Sequence, residues 1–91
     1  MTVCAKILVT GYVQGVGYRY YTQDIAKVLN MTGWVKNGPA GVVEIYCEGE
    51  ENNFNEFVEK LKQGPSWSQV KCVEVTEVGS EKKEDDFRIT Y

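Results

Sequence analysis

The fold of this chain is decided by the stretch Gly11-Tyr12-Val13-Gln14-Gly15-Val16-Gly17-Tyr18-Arg19. An apolar, β-branched run ending at Val9 precedes it, and a helical pattern of apolar residues follows it. A strand, a glycine-rich turn and a helix start in this order place backbone N–H groups at the positive end of a helix dipole, where an anion binds. The glycines let the backbone bend tightly and approach a ligand, and Arg19 adds a planar set of donors suited to phosphate or carboxylate oxygens. The stretch therefore predicts an oxyanion-binding loop.

The size and composition of the chain limit what it can be. Its 91 residues form one domain, 1–91, with a single modest core. No apolar run is long enough to span a membrane, and the first residues enter a strand pattern without the layout of a signal peptide, so we expect a cytoplasmic protein. The net charge of −3 argues against broad nucleic-acid binding, which needs a basic field. The absence of histidine excludes any mechanism that requires an imidazole.

Hydrophobic periodicity predicts the remaining elements. The second helix is the clearest, because its apolar residues lie at i, i+3, i+4 and i+7 from Phe54; Asn52 or Asn53 is its expected cap, and Gly64-Pro65 ends it. The other expected elements are a strand over 3–10, a helix over 18–30, a hairpin of strands 33–37 and 42–48, a strand over 70–78 with a possible bulge near Cys72, a polar region over 77–86, and a last strand over 87–91. This order predicts an α+β, ferredoxin-like βαββαβ sandwich. Two helices cover one face of a mainly antiparallel sheet of four to five strands.

The three cysteines match neither a zinc pattern nor a disulfide framework. Cys47 alternates in phase with the inward residues of its strand, whereas Cys4 alternates out of phase with those of its own. A bridge between them would have to cross the sheet, which disulfide geometry forbids. We therefore expect the thiols to stay free.

Two motifs resemble the signatures of the acylphosphatase family. The first is Gly11-x-Val13-Gln14-Gly15-Val16-x-Tyr18-Arg19, and the second is Gly33-Trp34-Val35-Lys36-Asn37 followed by Gly41-x-Val43 and Gly49. Both stand in the family's order and separation, and the final segment 87–91 is similar to the family's last strand. One departure is Tyr18, where the family usually has phenylalanine or methionine. Its added hydroxyl needs a partner or a route to water.

The resemblance implies hydrolysis of the carboxyl-phosphate bond of small acyl phosphates, giving a carboxylate and inorganic phosphate. It implies that the loop formed by Gln14, Gly15, Val16, Gly17, Tyr18 and Arg19 binds the phosphate, and that Arg19 and Asn37 are the catalytic residues. Arg19 would hold the phosphoryl oxygens and Asn37 would orient the water. No metal and no cofactor are implied, since a carboxylate leaves easily and positioning can carry the transfer. The expected partners are the acyl phosphate and inorganic phosphate, with no nucleic acid and no membrane, and the expected state is a monomer.

Several alternatives stay open at this point. A non-catalytic anion-binding module would keep the loop, although it would have no use for a water-orienting amide at Asn37. An RNA-binding sheet would need exposed aromatic residues in a basic surround, which the net acidity disfavours. Gln14 either braces the loop with its side chain or matters only for its place in the turn. Whether the terminal carboxylate of Tyr91 reaches Arg19 is also open.

Overall fold

The computed structural model describes residues 1–15, 17–79 and 85–91 of the chain. Within them, five strands and two α-helices follow the order that the sequence predicts. The elements are β1 (Thr2–Tyr12), α1 (Tyr18–Val28), β2 (Thr32–Asn37), β3 (Val43–Glu50), α2 (Glu51–Gln63), β4 (Gln69–Glu77) and β5 (Phe87–Ile89), with a short 3₁₀ turn, Pro39–Gly41, between β2 and β3. Residues 80–84 of the expected polar region lie outside the described residues.

The strands form one sheet in the order β4-β1-β3-β2-β5. Every neighbouring pair is antiparallel except β2 and β5, which are parallel. Alternate residues of β1, from Val3 to Val9, are buried together with Val43, Ile45 and Cys47 of β3. Helix α1 packs on β2 and β5, and α2 packs on β3 and β4. The ferredoxin-like α+β sandwich is confirmed.

The expected cap of α2 is wrong. The helix begins at Glu51, so Asn52 and Asn53 lie inside its first turn, and no side chain caps it. The reason is tertiary: the N–H of Glu51 donates to the carbonyl of Met1 at 3.0 Å. Met1, the residue before β1, thus satisfies one of the N–H groups at the start of the helix that have no partner within it.

The bulge is present beside the predicted position. The register between β1 and β4 shifts between Thr10 and Gly11, which leaves Lys71 as the extra residue on β4. Gly11 has a φ of 128°, and a Cβ there would overlap the carbonyl oxygen of Gln69. Gly11 therefore serves the close approach of two strands and is not part of the anion-binding loop.

The three thiols are free, as predicted. Cys47 is buried under the helices, and burial raises its pKa to about 12. Cys4 lies on the other face of the sheet, where its Sγ donates to Oε1 of Glu48 at 3.4 Å. Among the described residues, neither helix is long and apolar enough to cross a membrane.

Candidate active site

The sheet topology brings the sequence-predicted site residues to one edge. Strands β1 and β2 run in the same direction, because each is antiparallel to β3, which lies between them. Their carboxyl ends therefore meet at the same edge. The loop after β1 and Asn37 at the end of β2 share that edge, and so does Tyr91, because β5 is parallel to β2.

The loop presents unsatisfied backbone donors. Gly15 and Gly17 have φ values of 75° and 79°, in the left-handed region that favours glycine. The first hydrogen bond of α1 runs from the N–H of Tyr21 to the carbonyl of Gly17 at 3.0 Å. The N–H groups of 18–20 therefore precede the intrahelical ladder, and they donate to no backbone carbonyl elsewhere in the described part of the chain. Val16, also predicted for this loop, lies outside the described residues.

A cavity of about 200 Å³ opens between the loop and the end of β2. It contains both residues that the sequence singles out for catalysis: Arg19, which is half-buried, and Asn37, which is exposed. Asn37 reaches this side because it alternates in phase with the buried Val35. The residues lining the cavity are Val13, Gly15, Gly17, Tyr18, Arg19, Tyr20 and Asn37.

Arg19 keeps its positive charge available for a ligand. Its guanidinium lies over the ring of Tyr91, 4.8 Å from the ring centroid, in a cation–π contact. The ion pairs of Met1 with Glu50 and of Lys62 with Glu59 do not involve Arg19. The ring of Tyr91 holds the guanidinium at the cavity without neutralising it.

Gln14 braces the site and does not line the cavity. Its Nε2 donates to the carbonyl oxygens of Gly38 and Val42, at 2.9 and 2.8 Å. Both amide hydrogens are thereby used, so the side chain has no donor left for a phosphate oxygen. These two bonds connect the loop to the turn that follows Asn37. Gln14 is thus a strut between the two halves of the site.

The extra hydroxyl of Tyr18 has a partner. It donates to the carbonyl of Leu61 at 2.7 Å, and the side chain is buried between α1 and α2. Burial, with a smaller contribution from Tyr21, raises the pKa of Tyr18 well above its ordinary value. The hydroxyl of Tyr21 donates in the same way to the carbonyl of Lys60, also at 2.7 Å. The first turn of α1 is therefore anchored on α2.

Two aromatic residues at the cavity, Tyr20 and Trp67, were not singled out from the sequence as site residues. Tyr20 is 59% exposed and lines the cavity. The indole of Trp67 lies 3.9 Å from the position that a Cβ on Gly17 would occupy. No pattern in the sequence marks Trp67, since it stands in the connection between α2 and β4. As for metals, no group of three or more Cys, Asp or Glu side chains in the described ranges could hold an ion.

Comparison with known proteins gives one consistent family. A sequence model of the acylphosphatase family matches residues 5–89. The chain is 47% identical over 91 residues to an acylphosphatase of Methanothrix thermoacetophila, covering all of both chains. Its structure is similar to the crystal structure of acylphosphatase from Bacillus subtilis, with a TM-score of 0.94 and 44% identity over all of both chains. It is also similar to an acylphosphatase from Coxiella burnetii, with a TM-score of 0.92 and 36% identity over 98% of this chain and 93% of that one.

Proposed function

This chain belongs to the acylphosphatase family, and from that premise we propose that the cavity between the 14–19 loop and Asn37 is its active site. The known activity of the family is hydrolysis of acyl phosphates, so the protein is a hydrolase that acts on acid anhydrides. The observation that carries the assignment of residues is that Arg19, Asn37 and the loop line one cavity.

In the proposed site, the phosphoryl group lies at the start of α1. Backbone N–H groups of the loop donate to its oxygens, and the guanidinium of Arg19 holds them from one side. The N–H groups of Tyr18 and Arg19 are in place before the substrate binds, because Gly17 adopts the left-handed bend and the Tyr18 hydroxyl anchors the helix. Such preorganised donors stabilise the charge that the phosphoryl oxygens carry in the transition state.

Asn37 would orient the attacking water. Its carboxamide offers an acceptor and two donors, so it can hold a water in line with the leaving group. The water oxygen forms a bond to phosphorus while the bond from phosphorus to the carboxylate oxygen breaks. The electron pair of that bond leaves with the carboxylate, and the proton of the water passes to a phosphate oxygen. Asn37 is not a base near neutral pH, and none is needed since a carboxylate is a good leaving group.

The proposal also covers metal dependence, oligomeric state and cellular location. We expect metal-independent hydrolysis, since Arg19 supplies the positive charge. We expect a monomer without nucleic-acid partners, since a net charge of −3 disfavours binding to a polyanion. A cytoplasmic location is supported by three free thiols, of which Cys72 is exposed, because exposed thiols persist in a reducing compartment.

The test is continuous assay of benzoyl phosphate hydrolysis in the presence of EDTA. Arg19→Ala and Asn37→Ala should each lower kcat/KM roughly 100- to 1000-fold, the usual cost of losing one preorganised group. Arg19→Ala should also weaken competitive inhibition by inorganic phosphate, whereas Asn37→Ala should leave that inhibition nearly unchanged. The two substitutions thus separate binding of the phosphate from orientation of the water.

Matched controls are Arg88→Ala, which removes an exposed arginine of β5, and Asn55→Ala, which removes an exposed asparagine of α2. Both should retain full activity. If the wild-type protein is folded and binds phosphate but does not hydrolyse benzoyl phosphate, it is the non-catalytic anion-binding module instead. Equal loss of phosphate inhibition in the Arg19 and Asn37 variants would contradict the division of roles.

A further inference from the structure

Three aromatic side chains from separate parts of the chain lie at the cavity or beside residues that line it. Tyr20 belongs to α1, Trp67 follows α2, and Tyr91 follows β5; they are 59%, 61% and 90% exposed. Tyr20 lines the cavity, Trp67 lies beside Gly17, and the ring of Tyr91 lies under the guanidinium of Arg19. We call these three residues the aromatic rim.

The rim lies beside the cavity in which the proposed function places the phosphoryl group. The cavity of about 200 Å³ is lined by the phosphate-binding residues and Asn37. In the proposed function, a phosphoryl group at the N–H groups of the loop and an attacking water at Asn37 lie within that cavity. In-line attack places the leaving carboxylate opposite the water, so the acyl group extends beyond the phosphate-binding residues.

We propose that the aromatic rim is the acyl-group subsite of this enzyme and that it favours acyl phosphates with a flat aromatic acyl group over acetyl phosphate. This inference rests on the proposed function. Exposed tyrosine and tryptophan rings offer large, rigid apolar surfaces, and aromatic pairs gain attraction beyond the area they bury. A methyl group, as in acetyl phosphate, offers much less apolar surface to such rings than a phenyl group does.

The experiment compares kcat/KM for benzoyl phosphate and for acetyl phosphate, in wild type and in Tyr20→Ala, Trp67→Ala and Tyr91→Ala. The ratio of the two values should fall roughly 2- to 10-fold in each variant, the size expected for one lost aromatic contact. Trp67→Phe keeps a ring and should restore most of the ratio. Inhibition by benzoate should weaken in Trp67→Ala, while inhibition by inorganic phosphate stays unchanged.

Two controls keep the outcomes distinct. Tyr12→Ala removes a tyrosine that is 63% exposed but does not line the cavity, and its ratio should equal that of wild type. Tyr91→Ala also removes the ring that holds Arg19, which should lower kcat/KM for both substrates by the same factor. The ratio of the two kcat/KM values is therefore the quantity that reports contacts with the acyl group. Unchanged ratios in all three variants would overturn the subsite while leaving acyl phosphate hydrolysis standing. Hydrolysis that survives Arg19→Ala and Asn37→Ala would instead overturn the proposed active site.

Discussion

The first turn of α1 lies between helix α2 and the cavity, and its hydrogen-bond donors differ on these two sides. Toward α2, the hydroxyls of Tyr18 and Tyr21 each donate to a helix carbonyl at 2.7 Å. Toward the cavity, the backbone N–H groups of 18–20 donate to no backbone carbonyl within the described residues. The satisfied donors hold the helix in place, and the unsatisfied ones are thereby fixed for a ligand. Binding then needs little reorganisation, which is what electrostatic stabilisation of a transition state requires.

Gln14 connects the loop before α1 to the turn that follows Asn37. Among the tests described below, its removal should give the largest loss of activity. Gln14→Ala loses both bonds to the turn after Asn37. We expect kcat to fall roughly 10- to 100-fold, because a small displacement of the water-orienting group is costly. The free energy of unfolding should fall by about 1 to 2 kcal/mol for the two hydrogen bonds. Steady-state kinetics and urea unfolding measure the two quantities.

The matched control for Gln14 is Gln23→Ala. The Nε2 of Gln23 also donates to a backbone carbonyl, that of Phe87 at 3.1 Å, but this bond joins α1 to β5 and not the loop to the turn after Asn37. This variant should lose some stability and no activity. Equal loss of kcat in both variants would show that Gln14 acts only through general stability.

Tyr18→Phe tests the α2 side of the comparison. It removes the bond to the carbonyl of Leu61 while keeping the ring that fills the core. The free energy of unfolding at pH 7 should fall by about 1 kcal/mol, and kcat/KM should stay within about 2-fold of wild type, since the backbone N–H groups remain. A large loss of activity would mean that the anchoring bond itself sets the position of the loop.

The free energy of unfolding above pH 9 gives a second test of the buried Tyr18 hydroxyl. The pKa of Tyr18 is raised in the folded state by burial, so the unfolded chain loses this proton first as the pH rises. Its contribution to stability is present below the ordinary tyrosine pKa of about 10 and is lost above it, by about 1 kcal/mol between pH 10 and 11. Burial also raises the pKa of Tyr46 and of Cys47, each to about 12, so wild type should lose more than this in total.

Urea unfolding of wild type and Tyr18→Phe at pH 9, 10 and 11 measures how much of the pH dependence of the free energy of unfolding comes from Tyr18. The difference in stability between wild type and Tyr18→Phe should shrink as the pH rises, because only wild type carries the phenol that ionises on unfolding. A constant difference over this range would contradict the assignment of the shift to Tyr18.

Local patterns predicted most of the elements and failed where a distant segment intervened. The alternation of β1 and the helical spacing of α2 both follow from their own residues, since one face of each must be buried. The cap of α2 was wrong because the carbonyl of Met1, 50 positions away, takes the N–H of Glu51. The sequence grouped Gly11 with the glycines of the loop, although it lies in the pair of strands β1 and β4. The close approach of the Gln69 carbonyl, which leaves no room for a Cβ at this position, is visible only in the structure.

The sequence by itself determined the family of the chain, the order of its elements, the glycine-rich bend and the two residues proposed for catalysis, because each lies in a contiguous motif. Only the tertiary structure decided that Arg19 and Asn37 share a cavity, that Gln14 joins the loop to the turn after Asn37, and that three aromatic rings lie beside the cavity. These relations depend on the strand order, which places the carboxyl ends of β1, β2 and β5 at one edge. Contacts between residues so far apart along the chain leave no period or spacing in the sequence.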